Sequence, residues 1–180
     1  MRASWMVVLL SWLWVVSPCL GGGMVLFDFE DGIAGWEHES PTPDKAEHAT
    51  DRARSGRGAL AFTHQFGAAS RVLHCRVASG FQSNMAAIDG FRGLSAWVFI
   101  PNGKPVWEAR MFVHCGEKWT WNEGPMMKSL QPGWNRIEMP AEAITDASDI
   151  KDIGLQISNP HQTIESRILI DRVEVMTSTP

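Results

Sequence analysis

After residue 24 the chain alternates apolar and polar positions with a period of two, the spacing of a strand with two unlike faces. In "VLFDFED", Phe27 and Phe29 fall on one side, Asp28 and Glu30 on the other. The stretches "ALAFTHQF", "SRVLHCRVAS", "GLSAWVFIP", "VWEARMFVHCG", "KWTWNEG", "WNRIEMP", "DIGLQIS" and "SRILIDRVEVM" follow. Gly and Pro punctuate them, in "DGIAGW", "SGRGAL", "DGFRG", "IPNGKP", "QPGW" and "SNPHQ". Short strands with turns at this spacing predict an all-β fold: a two-sheet antiparallel β-sandwich of about nine or ten strands. "AEAITDASDIKD" is the one helix-like segment, expected to form a turn or so before a strand.

The alternation also sorts residues into faces. Leu94, Ala96, Val98 and Ile100 share a side, as do Trp107, Ala109, Met111, Val113 and Cys115, then Ile153, Leu155 and Ile157, then Ile137 and Met139. These predict the core between the sheets. The opposite sides carry Trp97 and Phe99; Glu108, Arg110, Phe112 and His114; Gln156; and Trp134, Arg136 and Glu138. A plain solvated sheet face carries Lys, Thr and Ser. Aromatic rings beside planar hydrogen-bonding groups are what a pyranose needs: a flat partner for its C–H face, and donors and acceptors for its hydroxyl rim. Trp119 and Trp121, two residues apart, share a face of their own stretch.

The first residues read differently. Arg2 precedes the twelve-residue apolar run "WMVVLLSWLWVV" and then "SPCLGGG". A positive start, a short apolar run and small residues describe a secretory signal peptide over residues 1–23; a membrane span needs about 20 apolar residues. Cys19 adds a second ending, since a cysteine just past such a run resembles a bacterial lipobox, although Pro18 departs from the usual small residue. Either way the expected mature chain is a single domain over 24–178, outside the cytoplasm: secreted, periplasmic or at the cell surface. There Cys75 and Cys115 either form a disulfide or serve as two small buried hydrophobes.

A net charge of −4 gives no basic footprint for nucleic acid. Three of the nine tryptophans lie in the first fourteen residues, leaving six for the folded part.

"FDFEDGIAGW", "SGRGALAF", "WTWNEG…LQPGWNRIEMP", "IKDIGLQIS" and "ILIDRVEV", in this order and spacing, resemble non-catalytic carbohydrate-binding modules of the galactose-binding-domain-like jelly-roll type, such as those attached to β-mannanases and related glycanases. The likeness covers about residues 25–176. It implies binding of β-mannan or a related β-linked polysaccharide or oligosaccharide without cleavage. It implies a structural calcium ion held by Glu30 and Asp171, with backbone oxygens near Arg54 to Gly56 completing its shell. It implies that the ligand lies on a concave sheet face or on edge loops. By strand parity the sheet-face set is Trp97, Phe99, Arg110, Phe112, His114, Arg136, Glu138 and Gln156, with Trp119 and Trp121 as stacking platforms. Trp36 and Trp107 are expected in the core. Trp134 is pulled two ways: parity sends it outward, the resemblance packs it.

Catalytic patterns are missing. Glycoside hydrolysis needs two carboxylates flanking one bond; the acids here scatter over turns and edges, and only Glu108 and Glu138 share a predicted face. There is no G-x-S-x-G, and the six histidines lack H-E-x-x-H spacing. His64 and His74 read as exposed or edge residues. The rival expectation to a glycan is an exported interaction or envelope-assembly protein whose aromatic face meets a protein partner. A lipid at Cys19 is the one expected link to a membrane.

Overall fold

The computed structural model describes residues 23–39, 45–68, 70–77, 81–101 and 107–178. The predicted signal segment and Cys19 lie outside the described residues. Among the described residues, no helix is long and apolar enough to cross a membrane.

Twelve strands form among the described residues: β1 (Met24–Phe27), β2 (Trp36–His38), β3 (Ala46–Ala49), β4 (Ala59–Phe66), β5 (Val72–Val77), β6 (Phe91–Ile100), β7 (Glu108–Cys115), β8 (Thr120–Glu123), β9 (Met127–Lys128), β10 (Gly133–Pro140), β11 (Ile150–Ser158) and β12 (Ile164–Thr177). The extra ones beyond the expected nine or ten are short edge pieces such as β9, which carries too little pattern to read. One sheet runs β10-β6-β12-β4-β3, with β1 added beside β12. The other runs β2-β5-β11-β7-β8, with β9 added beside β7. Every pairing is antiparallel. The fold is a two-sheet β-sandwich. The helix-like segment forms a single 3-10 turn, Ala141–Ala143, ahead of β11.

The predicted inner residues do form the core. Leu94, Ala96, Val98, Ile100, Ala109, Met111, Val113, Ile137, Met139, Ile153, Leu155 and Ile157 are all buried in one cluster. Trp36 meets Phe27 and Phe29 edge-on, and Trp107 meets Phe66 edge-on at 4.9 Å. Both tryptophans are buried, as expected.

Of the two readings open for Cys75 and Cys115, the disulfide falls and the buried pair holds: both are free and buried. Cys75 lies on β5 opposite Leu155 and Cys115 on β7 opposite Ile150, so β11 runs between them. Two strand spacings alone separate them by about 10 Å, beyond the roughly 7 Å limit for a disulfide. Cys75 Sγ instead contacts Leu155 O, and Cys115 Sγ receives Asn122 Nδ2 at 3.1 Å. Contrary to expectation, His64 is not exposed. It is buried beside Phe66, stacks on His38 and contacts Ser70 Oγ at 3.2 Å.

Candidate functional site

The outer face of the second sheet carries the densest chemistry. Its strands align in rows: Glu37, Arg76, Gly154, Phe112 and Glu123 in one, His74, Gln156 and Arg110 in the next, Asp152, His114 and Trp121 on the other side. Gly154 lets this surface pack. A Cβ there would sit 2.2 Å from Phe112 Cζ and 2.7 Å from Cys75 O, so only glycine leaves room for the ring. Trp121 lies on Phe112 with centroids 4.1 Å apart and planes 16° apart. Phe112 is thereby fully buried although it is on an outer face, while Trp121 keeps 36% of its surface exposed. His74 and His114 stand edge-on to the indole at 6.0 and 5.2 Å.

Polar partners fix the ring in its plane. Trp121 Nε1 donates to Glu123 Oε2 at 3.0 Å, and Glu123 Oε1 pairs with Arg110 Nη1 at 2.5 Å. Arg110 Nε donates to Gln156 Oε1 at 2.9 Å. On the other flank Arg76 Nη1 pairs with Asp152 Oδ2 at 2.6 Å, and Asp152 also accepts from the His114 backbone N–H at 2.9 Å. Arg110 and Arg76 therefore each have a carboxylate partner. Trp119, 46% exposed, lies 5.9 Å from His114 in a tilted arrangement. Its φ of 52° is left-handed, an uncommon and strained state for a bulky residue.

The predicted ligand set does not form one surface. Arg110, Phe112, His114, Gln156 and Trp121 lie on this face and Trp119 at its edge. Trp97, Phe99, Arg136 and Glu138 lie on β6 and β10, hence on the outside of the other sheet. Parity assigned inside and outside correctly, but parity carries no information on which sheet a strand joins. For the same reason Glu108 and Glu138, expected on one face, sit on opposite sides of the sandwich and cannot flank one bond.

The second aromatic group is already covered. Arg54 Cζ lies 4.3 Å above the Trp97 ring and Arg52 Cζ 4.3 Å above Phe99. Trp134 packs edge-on against Phe99 at 5.4 Å. Trp134 thus faces outward and packs at once, which reconciles the two expectations for it. Arg136 pairs with Glu138 at 2.9 Å and donates to Ser95 Oγ at 3.2 Å.

A family model described as "Mannanase, galactose-binding domain-like" matches residues 27–172. The chain belongs to that family. Among solved structures, this mannanase galactose-binding-domain-like chain is similar to the CBM27-1 module of Caldicellulosiruptor saccharolyticus in complex with mannohexaose (12% identity, TM-score 0.66, covering 88% of this chain and 99% of that one). It is similar to a structure reported for the promiscuous specificity of carbohydrate-binding modules of the β-sandwich superfamily (17%, TM-score 0.64), covering 87% of this chain but less than two thirds, 63%, of that one. A third is the CBM22-1 xylan-binding domain from Paenibacillus barcinonensis (12%, TM-score 0.57, 89% and 97%). Identities this low show a shared fold. No curated protein matches the chain.

Glu30 and Asp171 in this family member are brought together by the 54–58 segment. Asp171 Oδ2 accepts from the Arg54 and Ser55 N–H groups at 2.7 and 3.0 Å. Glu30 accepts from Arg57 N at 2.9 Å and from Gly58 N at 3.1 Å. Those amides hold Glu30 below the usual carboxylate range, Gly58 foremost. Asp171 is fully buried, and burial raises it above that range despite its N–H donors; the nearby Glu30 charge pushes the same way. Its Oδ1 is buried without a hydrogen-bond partner among the described residues. A buried carboxylate oxygen without a partner is a donor of the type a hard cation takes, while both Glu30 oxygens are held by backbone N–H groups and no third His, Cys, Asp or Glu joins the pair among the described residues. A cleft of about 530 Å³ lined by Glu30, Asp51, Arg52 and Arg57 opens beside it.

Sequence reading missed Asp152, Arg76, His74 and Glu123. A signal existed for most of them. His74 and Arg76 alternate with the buried Leu73, Cys75 and Val77. Asp152 falls in step with Gly154 and Gln156, but it sits within a segment that reads as a turn.

Proposed function

We propose that this protein binds a β-linked glycan, β-mannan or a close relative, on the outer face of the β2-β5-β11-β7-β8 sheet, without cleaving it. The observation that carries the reading is the Trp121–Phe112 stack. One indole face rests on a buried ring, and the ring is pinned by Glu123 and left open on its far side. A pyranose laid there stacks its C–H face on the indole, worth about 0.5–1.5 kcal/mol beyond area burial. Gln156, Arg110 and His114 lie in the rows beside the platform and carry donors and acceptors for hydroxyls. Trp119 offers a second ring at the edge. Mannohexaose in the CBM27-1 complex and xylan in the CBM22-1 name support a β-linked glycan as the class of ligand.

The rival, a protein partner, calls for a broad apolar surface. Here the exposed Trp121 ring sits beside the exposed Glu123 and its partner Arg110, a surface better suited to hydroxyls. The test is affinity electrophoresis through gels holding mannan, glucomannan, xylan or β-glucan. Retardation by a mannan supports the reading, and migration unchanged by every polymer counts against it.

We also infer that Glu30 and Asp171 hold a structural calcium ion far from this face. The ion would tie the turn after β1 to β12 and satisfy Asp171 Oδ1. Its contribution is to stability, with no part in sugar contact. Export through a cleaved N-terminal segment completes the proposal; the N-terminus of the mature protein, read by mass spectrometry, tests it.

A further inference from the structure

Among the described residues, Asp152 is the one acid buried beneath this face, 1% exposed. A bulge places it there. Ile150 pairs with Cys115 and Asp152 with His114, so Lys151 is the extra residue between them. In a regular strand Ile150 and Asp152 share a side. The bulge lets Ile150 enter the core while Asp152 turns outward under His114, a known use of bulges beside sites.

The Asp152 carboxylate is the meeting point of three donor groups: Arg76 Nη1, the His114 backbone N–H and His114 Nδ1, the last at 2.9 and 3.0 Å from its two oxygens. A carboxylate paired with a guanidinium is ionised and only accepts. His114 Nδ1 must therefore carry the proton. In the neutral ring this leaves Nε2, on the far side from the buried acid, with a bare lone pair. The imidazole that carries Nε2 lies 5.2 Å from the Trp121 ring and 5.9 Å from the Trp119 ring, centroid to centroid.

We propose that Asp152 is a positioning residue that fixes His114 Nε2 as an acceptor next to the Trp121 platform, so that the site selects a free sugar hydroxyl there over an esterified one. This rests on the glycan reading above and specifies it. A hydroxyl donates to Nε2. An O-acetyl group has no proton to give and places a carbonyl acceptor against an acceptor.

Asp152→Asn reverses the polarity. The Asn oxygen takes the place of Oδ1 and still accepts from the His114 backbone N–H, while the amide takes the place of Oδ2, where it gives up the Arg76 pair and donates to Nδ1, driving the ring proton to Nε2. The experiment is retardation of parent and Asp152→Asn by acetylated glucomannan and by the same polymer after mild alkaline deacetylation. The parent is expected to bind the deacetylated polymer about three- to tenfold more tightly, the worth of one neutral hydrogen bond. In Asp152→Asn that preference shrinks or inverts. An unchanged preference in the variant overturns this inference alone. A parent retarded by neither polymer, nor by the mannan, xylan and β-glucan gels, overturns the glycan reading and this inference with it. Should Asp152→Asn fail to fold, the parent decides by itself. Its histidine ring nitrogens are read by two-bond ¹H–¹⁵N correlation at about pH 8, where an ordinary histidine is neutral, with His114→Gln for assignment. An unprotonated Nε2 on His114 supports the proposal; a protonated one overturns it.

Discussion

Trp121 lies parallel to Phe112 with their ring centroids 4.1 Å apart, and Phe112 in turn fills the space over Gly154 that a side chain there would occupy. The exposed indole is thus the top of a stack founded on the backbone of β11. Phe112 cannot touch a ligand, yet it sets where the platform lies.

Substitutions in the foundation should therefore weaken binding from below. Gly154→Ala forces a Cβ into Phe112 and the Cys75 carbonyl, an overpacking cost of about 1–3 kcal/mol. Phe112→Leu removes the flat support with less strain. Both variants are expected to lower the melting temperature and to reduce mannan retardation, with Gly154→Ala the less stable of the two.

Trp119 offers a separation of stability from binding. Its left-handed backbone costs a non-glycine residue about 1–2 kcal/mol. Trp119→Gly relieves that strain and removes an exposed ring. Its melting temperature is expected to stay level or rise, while retardation by mannan falls several-fold.

For the cation, chelator should lower the melting temperature of the parent and leave the set of retarding polymers unchanged. Asp171→Asn keeps an acceptor for the Arg54 and Ser55 N–H groups but removes the buried charge. Its melting temperature should no longer respond to calcium or chelator. A response equal to the parent's counts against Glu30 and Asp171 as the ligands.

The thiols are expected to be inert in the native state. Cys75 is enclosed, and burial pushes its thiol well above the usual range, so little reactive thiolate forms. Neither Cys75 nor Cys115 should react with Ellman's reagent until denaturant is added, after which both react without prior reduction.

Much of this architecture is legible in the sequence because a period of two determines side directly. Leu94 to Ile100 and Trp107 to Cys115 each bury the side that alternation assigns. The sorting of strands between sheets is not legible, since it depends on pairings such as β6 with β12 and β7 with β11, set by contacts distant in sequence. That is why Trp97 and Phe99 look equivalent to Phe112 along the chain and lie on opposite surfaces in space. Asp152 escapes for a local reason. The bulge at Lys151 breaks the alternation where the segment already resembles a turn. Trp119 and Trp121 are the exposed tryptophans of the described residues, a state their spacing of two does not by itself decide.

The comparison that bears most directly on the central claim sets Trp121→Ala against Trp97→Ala, one ring from each outer face, in a mannan affinity gel beside the parent. Loss of one stacked ring at about 1 kcal/mol corresponds to roughly a fivefold weaker affinity, and more where the neighbouring contacts fail with it. The expected result is that Trp121→Ala loses most of its retardation while Trp97→Ala migrates like the parent. Retardation lost in Trp97→Ala and kept in Trp121→Ala would contradict the account and move the glycan to the other sheet.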